Sequence, residues 1–458
     1  MKTTIAAIST PVGIGGIAVI RLSGEQSLPI VLGHLHHKKL QPNYATYGLF
    51  HIDNEILDEV VVTYYAAPRS YTGEDMVEIS CHGSAYIQQT LLKVLLDDGC
   101  AMAAPGEFTQ RAFLNGRLDL SQAEAVADLI ESTNHANQQL AISQMRGGYS
   151  EKLKSLRQQF IDLTTLLELE LDFSDEEVEF ADRGKLEQLV DHLADECSRL
   201  ANSFSTGNAI KQGIPVAIVG RPNAGKSTLL NTLLGDDRAI VSETPGTTRD
   251  TIEDTLTIDG IGFRIIDTAG LRQSDNDIES AGIERSRKAA AKASTVLYMV
   301  DARQPIDETV DELIKFIGET PLENKTLVVA INKIDLVDTP PILPDNVADH
   351  LPTGTQYHTV HISAKKHMHI DLLLKALTCG LSLNDDPTPL VSNLRHYEAL
   401  THIVTACGHI KEGFDQNLPA DLLVIDIRDA LYHLGTITGE VASDEILGNI
   451  FSRFCIGK

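Results

Sequence analysis

The chain has 458 residues, 43% of them hydrophobic and 22% charged. At about 150 residues per domain this length suggests roughly three domains, and the composition excludes the disordered, fibrous and membrane-embedded classes. The 38 Lys+Arg against 64 Asp+Glu give a formal charge of -26, so most of the surface repels a polyanion and any RNA contact must be local or shared.

The first twenty residues do not read as a signal peptide, because Ser9, Thr10, Pro11, Gly13, Gly15 and Gly16 interrupt any apolar helix. No apolar run approaches the roughly 20 residues needed to span a bilayer. Six scattered cysteines (Cys81, Cys100, Cys197, Cys379, Cys407, Cys455) without a CxxC pair indicate neither a zinc site nor a disulfide framework, and suggest a reducing cytoplasm.

Residues 1–118 carry short β-like runs, IAVIRLSG (17–24), VVVTYYA (60–66) and MVEISCHG (76–83), with one helix from Ala85 to about Asp98, which predicts a mixed α/β domain. Residues 119–212 read as the first part of a helical domain. Ser121 and Glu124 make a capping box there, Ala125, Leu129, Leu140 and Ile142 keep helical spacing, and Gly147 and Gly148 interrupt it. Further helices are predicted from about Lys152 to Asp172 and from about Lys185 to Phe204, with the acidic DFSDEEVEFAD between them as a solvated loop. Over 213–380, PVAIVG, GFRIIDT, TVLYMVD, TLVVAIN and HTVHIS each precede a loop and a helix, the pattern of a doubly wound parallel sheet with sites at the strand C-terminal ends. NDDPTP (384–389) reads as a linker and residues 393–454 return to amphipathic helix, so 381–458 is expected to complete a helical domain into which 213–380 is inserted.

Gly220-Arg-Pro-Asn223-Ala224-Gly225-Lys226-Ser227 fits the phosphate-binding loop GxxxxGKS/T between strand and helix, with Thr228 next in line. Its N–H groups suit phosphate oxygens, Lys226 supplies a cation and the Ser227 hydroxyl can ligate Mg2+. Asp267-Thr268-Ala269-Gly270 follows the next strand, where an aspartate can hold Mg2+ through water and a glycine N–H can meet the γ-phosphate. Asn332-Lys333-Ile334-Asp335 selects the base: the Asp335 carboxylate can accept from both guanine N1–H and N2–H2, whereas adenine would leave it unpaired. Ser363-Ala364-Lys365 places an N–H for guanine O6. Between the phosphate loop and DTAG lies Thr244-Pro245-Gly246-Thr247-Thr248-Arg249-Asp250, at the usual place of switch I, one of whose threonines, Thr248, should reach Mg2+, and Ser242 and Glu243 just before it are expected to join the GTP-binding residues.

Leu271 follows the DTAG segment where a Ras-like switch has the glutamine that orients water, and an aliphatic chain cannot do that. A downstream carboxylate must position the water, with Asp275, Asp277, Glu279 and Glu284 as candidates and Glu279 expected to do so, and Arg249 or a bound cation must neutralise the developing charge.

GRPNAGKS, TPGTTRD, DTAGLR, GIERS, IRLSG, YTGEDMVE, GEFTQRAFLNGRLDLSQAEAVADLI and the terminal Cys455-Ile-Gly-Lys458 together resemble the MnmE (TrmE) family of tRNA-modification GTPases over the whole chain. The resemblance implies an N-terminal domain that dimerises and binds a formyl-tetrahydrofolate donor, through positions matching Arg21, Glu78, Arg117 and Lys458. It implies a G domain activated by K+ and by dimerisation, with Asn223, Ser242, Thr244 and Thr247 as K+ ligands, and a tail thiol, Cys455, that reaches the folate site and serves modification but not GTP hydrolysis. It further implies a homodimer joined by an FAD-containing MnmG (GidA)-type protein in a heterotetramer or larger assembly, acting on C5 of the wobble uridine of certain tRNAs. The alternative is a ribosome-assembly GTPase of the Era or Der type, whose RNA-binding part should be basic. Residues 381–458 hold 5 Lys+Arg against 11 Asp+Glu and no GxxG loop, which argues against it.

Overall fold

A computed structural model describes residues 3–11, 13–36, 39–53, 55–172, 183–234, 254–258, 260–266, 287–379 and 389–458. These fall into two compact units, one made of Met1–Ile130, Ser143–Asp195 and Ala399–Lys458, the other of Glu131–Ile142 and Glu196–Glu398. Residues 173–182 of the acidic loop and 384–388 of the linker lie outside the described residues.

The first unit holds a six-stranded sheet in the order β3-β4-β5-β2-β1-β6. Its strands are β1 (Ile5–Ile8), β2 (Gly15–Ser23), β3 (Ala45–Ile52), β4 (Glu55–Tyr65), β5 (Met76–Gly83) and β6 (Ala101–Met102). All neighbours are antiparallel except β1 and β6. Alternation sends Ala18, Ile20 and Leu22 of β2 and Val77, Ile79 and Cys81 of β5 into one core with Leu91 and Leu95 of the helix Ala85–Asp97. The same period turns Arg21 and Glu78 to the opposite face, where the register pairs them directly across β2 and β5.

In the helical part of this unit, Gly148–Asp172 packs along Ala420–Thr438. The capping box predicted at Ser121 and Glu124 lies instead at Asp119 and Gln122. Asp119 Oδ1 accepts from the Gln122 N–H and Gln122 Oε1 accepts from the Asp119 N–H, each at 3.0 Å. Ser121 is already inside the helix Leu120–Glu131, buried, where its hydroxyl donates to Asp119 Oδ1 and meets Ser150. The helix also stops earlier than the glycine pair. It breaks after Glu131, and the next helix, His135–Met145, begins in the stretch Glu131–Ile142 that belongs to the second unit, with Asn134 Oδ1 accepting from the Asn137 N–H at 2.9 Å.

The second unit is a sheet in the order β12-β11-β10-β7-β9-β8. β7 (Ile214–Gly220), β9 (Ile261–Ile266), β10 (Thr295–Asp301), β11 (Thr326–Asn332) and β12 (Gln356–His361) are parallel, as predicted. An unpredicted edge strand, β8 (Asp254–Ile258), runs antiparallel to β9. Alternate residues of β10 feed two cores: Leu297 and Met299 on one face, Val296, Tyr298 and Val300 on the other. The parallel register brings Gly220 beside Met299 and Asp301 beside Asn332, so the loops after β7, β10 and β11 meet at one edge. Among the described residues no helix is long and apolar enough to cross a membrane.

Candidate functional site

β7 ends at Gly220, and the chain turns through residues 221–225 into the helix Lys226–Leu234. Gly220, Asn223 and Gly225 hold φ of 137°, 63° and 97°. Neither glycine has room for a side chain. A Cβ on Gly220 would stand 2.3 Å from the Met299 carbonyl oxygen, and one on Gly225 would stand 2.3 Å from Asn332 Nδ2. The loop is thus pressed onto the ends of β10 and β11, and a tight turn leading into a helix N-terminus is an anion cradle. Lys226 Nζ donates to the Gly220 and Arg221 carbonyls at 2.8 Å, which keeps the ammonium over the loop.

Asn332 wires the loop to the base-reading segments. Only 2% exposed, it donates from Nδ2 to Ala224 O at 2.8 Å and accepts at Oδ1 from the Ala364 N–H at 3.0 Å. Ser363, fully buried, donates to Asp335 Oδ1 at 2.6 Å and accepts from the Lys366 N–H, so it orients the carboxylate that would face guanine. Lys333 Nζ reaches the Asn223 carbonyl at 2.5 Å and Asp301 Oδ2 at 2.8 Å.

Asp301, at the end of β10, is a site residue that motif reading missed, although TVLYMVD ends on it at the sheet edge where ligands bind. Burial alone would raise its carboxyl, but hydrogen bonds from Arg303 and Lys333 outweigh that and hold it well below the usual carboxylate range. It is a fixed anion that anchors Lys333.

The structure therefore gathers Gly220, Asn223, Ala224, Gly225, Lys226, Ser227, Thr228, Asn332, Lys333, Ile334, Asp335, Ser363, Ala364 and Lys365 on the loops and helix start at one sheet edge. The predicted Ser242, Glu243, Thr244, Pro245, Gly246, Thr247, Thr248, Arg249, Asp267, Thr268, Ala269, Gly270 and Glu279 lie outside the described residues.

A second cluster sits on the open face of the N-terminal sheet. Arg21 donates from Nε (2.9 Å) and Nη2 (2.8 Å) to Glu78 Oε1 and from Nη1 to the Gly457 carbonyl at 3.2 Å. Its guanidinium carbon lies 5.6 Å from the ring centroids of both Tyr71 and Phe108. Tyr65 OH donates to Glu78 Oε2 at 3.3 Å. Burial and the neighbouring Arg21 charge push the Lys458 ammonium below its ordinary range, with Glu78 and Cys455 opposing. Arg21, Glu78 and Lys458 are thus brought together. Arg117 lies with its stem against Gly73, and among the described residues no hydrogen bond or ion pair joins it to those three.

Cys455 is exposed beside this cluster, whereas burial pushes the Cys81 and Cys100 thiols up to about 11 and Cys407 up to about 12. The aromatic flanks Tyr65, Tyr71 and Phe108 gave no local signal in the sequence.

Parallel sheet, phosphate loop and guanine-type base segment define a P-loop GTPase. The family description "MnmE helical domain" matches residues 120–455, and that of the "GTP-binding protein TrmE N-terminus" matches residues 4–117. The chain is 47% identical over 472 residues to a tRNA modification GTPase MnmE of Bacteroides fragilis, and 48% identical over 474 residues to that of Parabacteroides distasonis, with 100% of each chain covered in both cases. A solved GTP-binding protein from Sulfolobus solfataricus in complex with GDP shares 18% identity, with 48% of this chain and 65% of that chain covered and a TM-score of 0.28, too loose an overlap to bear on function. The chain belongs to the MnmE (TrmE) family.

Proposed function

We propose that this chain, a tRNA modification GTPase by family, hydrolyses Mg2+-GTP with K+ as activator and acts as a cytoplasmic homodimer. Its partner would be an FAD-containing MnmG (GidA)-type protein, in a heterotetramer or larger assembly. Together they install an aminomethyl- or carboxymethylaminomethyl-type group on C5 of the wobble uridine of certain tRNAs, using a formyl-tetrahydrofolate-type donor. What carries the reading is that one chain holds both a guanine-type site wired through Asn332 and a cationic cradle at Arg21 and Lys458 beside an exposed thiol. The division of labour assigns folate and dimerisation to residues 1–118, GTP to 213–380, and a helical domain to 119–212 and 381–458.

The residues present suit the implied groups. Ser227 and Thr248 would hold Mg2+, and Asn223, Ser242, Thr244 and Thr247 would hold K+. When bound, both cations supply positive charge against the phosphate oxygens, where Leu271 supplies none. Lys226 steadies the terminal phosphates, Glu279 orients the attacking water, and Arg249 assists with charge. In the N-terminal cradle, Arg21 and Lys458 meet glutamyl carboxylates, Tyr71 and the buried Phe108 back the Arg21 guanidinium, and Glu78 steadies Arg21, with Arg117 at the margin. Cys455 serves the modification chemistry.

The test is steady-state GTP hydrolysis in K+ and in Na+ with Mg2+ present and ionic strength held constant. Strong K+ dependence supports the reading. Equal rates in the two salts would remove the Asn223 cation site and shift the missing charge to Arg249.

A further inference from the structure

The C-terminal tail is anchored on both sides of its thiol. Upstream, Phe451 and Phe454 pack with Leu120 and Leu447, close enough to Gly106 that a Cβ there would stand 2.7 Å from the Phe451 carbonyl oxygen. Downstream, the Gly457 carbonyl accepts from Ser9 Oγ at 3.1 Å and from Arg21 Nη1 at 3.2 Å. Gly457 has φ 91°, and a Cβ on it would stand 2.5 Å from the Ile8 carbonyl oxygen, so the close approach requires glycine on two counts. Between the anchors, Cys455 and Ile456 are exposed.

A guanidinium has five N–H donors. Among the described residues, two from Arg21 go to Glu78 and one to Gly457, which leaves two; Gly457 is one residue along the chain from Lys458, whose ammonium burial and the Arg21 charge push below its ordinary range. A carboxylate there would take the remaining Arg21 donors and the Lys458 charge at once, binding sheet and tail together.

We propose that Ser9 and Gly457 are positioning residues: they dock the tail onto β1 and β2 through the Gly457 carbonyl, and a folate-type carboxylate bridging Arg21 and Lys458 strengthens that docking. Ligand and tail then stabilise each other, and Cys455 is presented at a fixed place beside the bound donor. The coupling rests on the folate reading above; the docking itself does not.

The full chain is compared with its Ser9→Ala, Ser9→Thr and Gly457→Ala variants, reading amide hydrogen exchange in the peptide covering residues 452–458 and the Kd of 5-formyltetrahydrofolate. Losing one hydrogen bond to the docked carbonyl, or forcing a Cβ against Ile8, should speed tail exchange about tenfold. Reciprocity requires the Kd to weaken by a similar factor and the ligand to slow exchange in the wild type. Ser9→Thr, which keeps the hydroxyl, should restore both. Wild-type exchange in both Ser9→Ala and Gly457→Ala would overturn the docking, and faster exchange with an unchanged Kd would overturn the coupling. If the wild type binds no 5-formyltetrahydrofolate while both variants still exchange faster, the docking is upheld and the folate reading falls.

Discussion

Asn332 joins the phosphate loop to the base-reading segment, so its truncation should be felt at both. Asn332→Ala removes the donor to Ala224 O and the acceptor for the Ala364 N–H, in surroundings where Asn332, Ala224 and Ala364 are 2%, 2% and 0% exposed. An unpaired buried polar group costs about 1–3 kcal/mol, so the two together cost about 3 kcal/mol after partial relaxation. At about 1.4 kcal/mol per decade, amide exchange at Ala364 should quicken roughly a hundredfold, and GTP affinity should fall with it. Asn332→Asp separates the two bonds. It keeps an acceptor for Ala364 but turns a carboxylate oxygen toward Ala224 O, so Ala364 should stay protected while the phosphate loop loosens. Hydrogen exchange on the full chain, followed in the peptide containing Ala364, reads the difference. Exchange in Asn332→Ala within threefold of the wild type would refute the bridging argument.

Gly225→Ala should abolish most nucleotide binding, on the order of a hundredfold, because it combines strain at φ 97° with a Cβ 2.3 Å from Asn332 Nδ2; a fluorescent GTP analogue measures it. Asp301→Asn should weaken GTP about five- to thirtyfold by loosening Lys333 from its 2.8 Å anchor. In the wild type this anchor should not titrate between pH 5 and 8, since a depressed carboxyl contributes above its ordinary range and is lost only as pH falls through the lower folded value. His82, whose Nδ1 lies 2.6 Å from Asp58 Oδ1, should titrate above 6.5 because that hydrogen bond favours the imidazolium. Its stabilising contribution is then complete below the ordinary value and lost as pH rises through the folded one. An NMR titration checks this, and Asp58→Asn should return His82 to the ordinary range.

What the sequence discloses depends on how far apart the cooperating residues are. The phosphate loop and NKID segment are contiguous, and each backbone requirement is written locally: a glycine where a Cβ would strike Met299 O, an aspartate one turn beyond a strand end. Strands β7, β10 and β11 were legible as continuous apolar runs, and β9 and β12 by their place in the strand–loop–helix alternation, whereas β8, DTLTI, is short and alternating and gave no such signal. The capping box was displaced by two residues because Asp119 and Gln122 satisfy the same donor and acceptor geometry as Ser and Glu, and the pattern alone does not choose between them.

Asp301 and Ser9 belong to a different category. Asp301 acquires its role only when the β10–β11 register sets it beside Asn332 and within reach of Lys333. Ser9 acquires its role only when residue 457 arrives from the far end of the chain. Both are ordinary polar residues in their local context, and no spacing rule links them to their partners. The same logic separates the charges of the N-terminal cluster. Arg21 and Glu78 are cross-strand partners by register, so their ion pair follows once β2 and β5 are aligned. The pair alone would be a partly exposed salt bridge of small energetic consequence. The Gly457 carbonyl adds a tertiary contact that ties this sheet-surface ion pair to the C-terminal tail. The nucleotide site is thus carried by motifs that a local reading can find, while the N-terminal cluster is carried by tertiary convergence, because residues 9, 21 and 457 meet only in the folded chain.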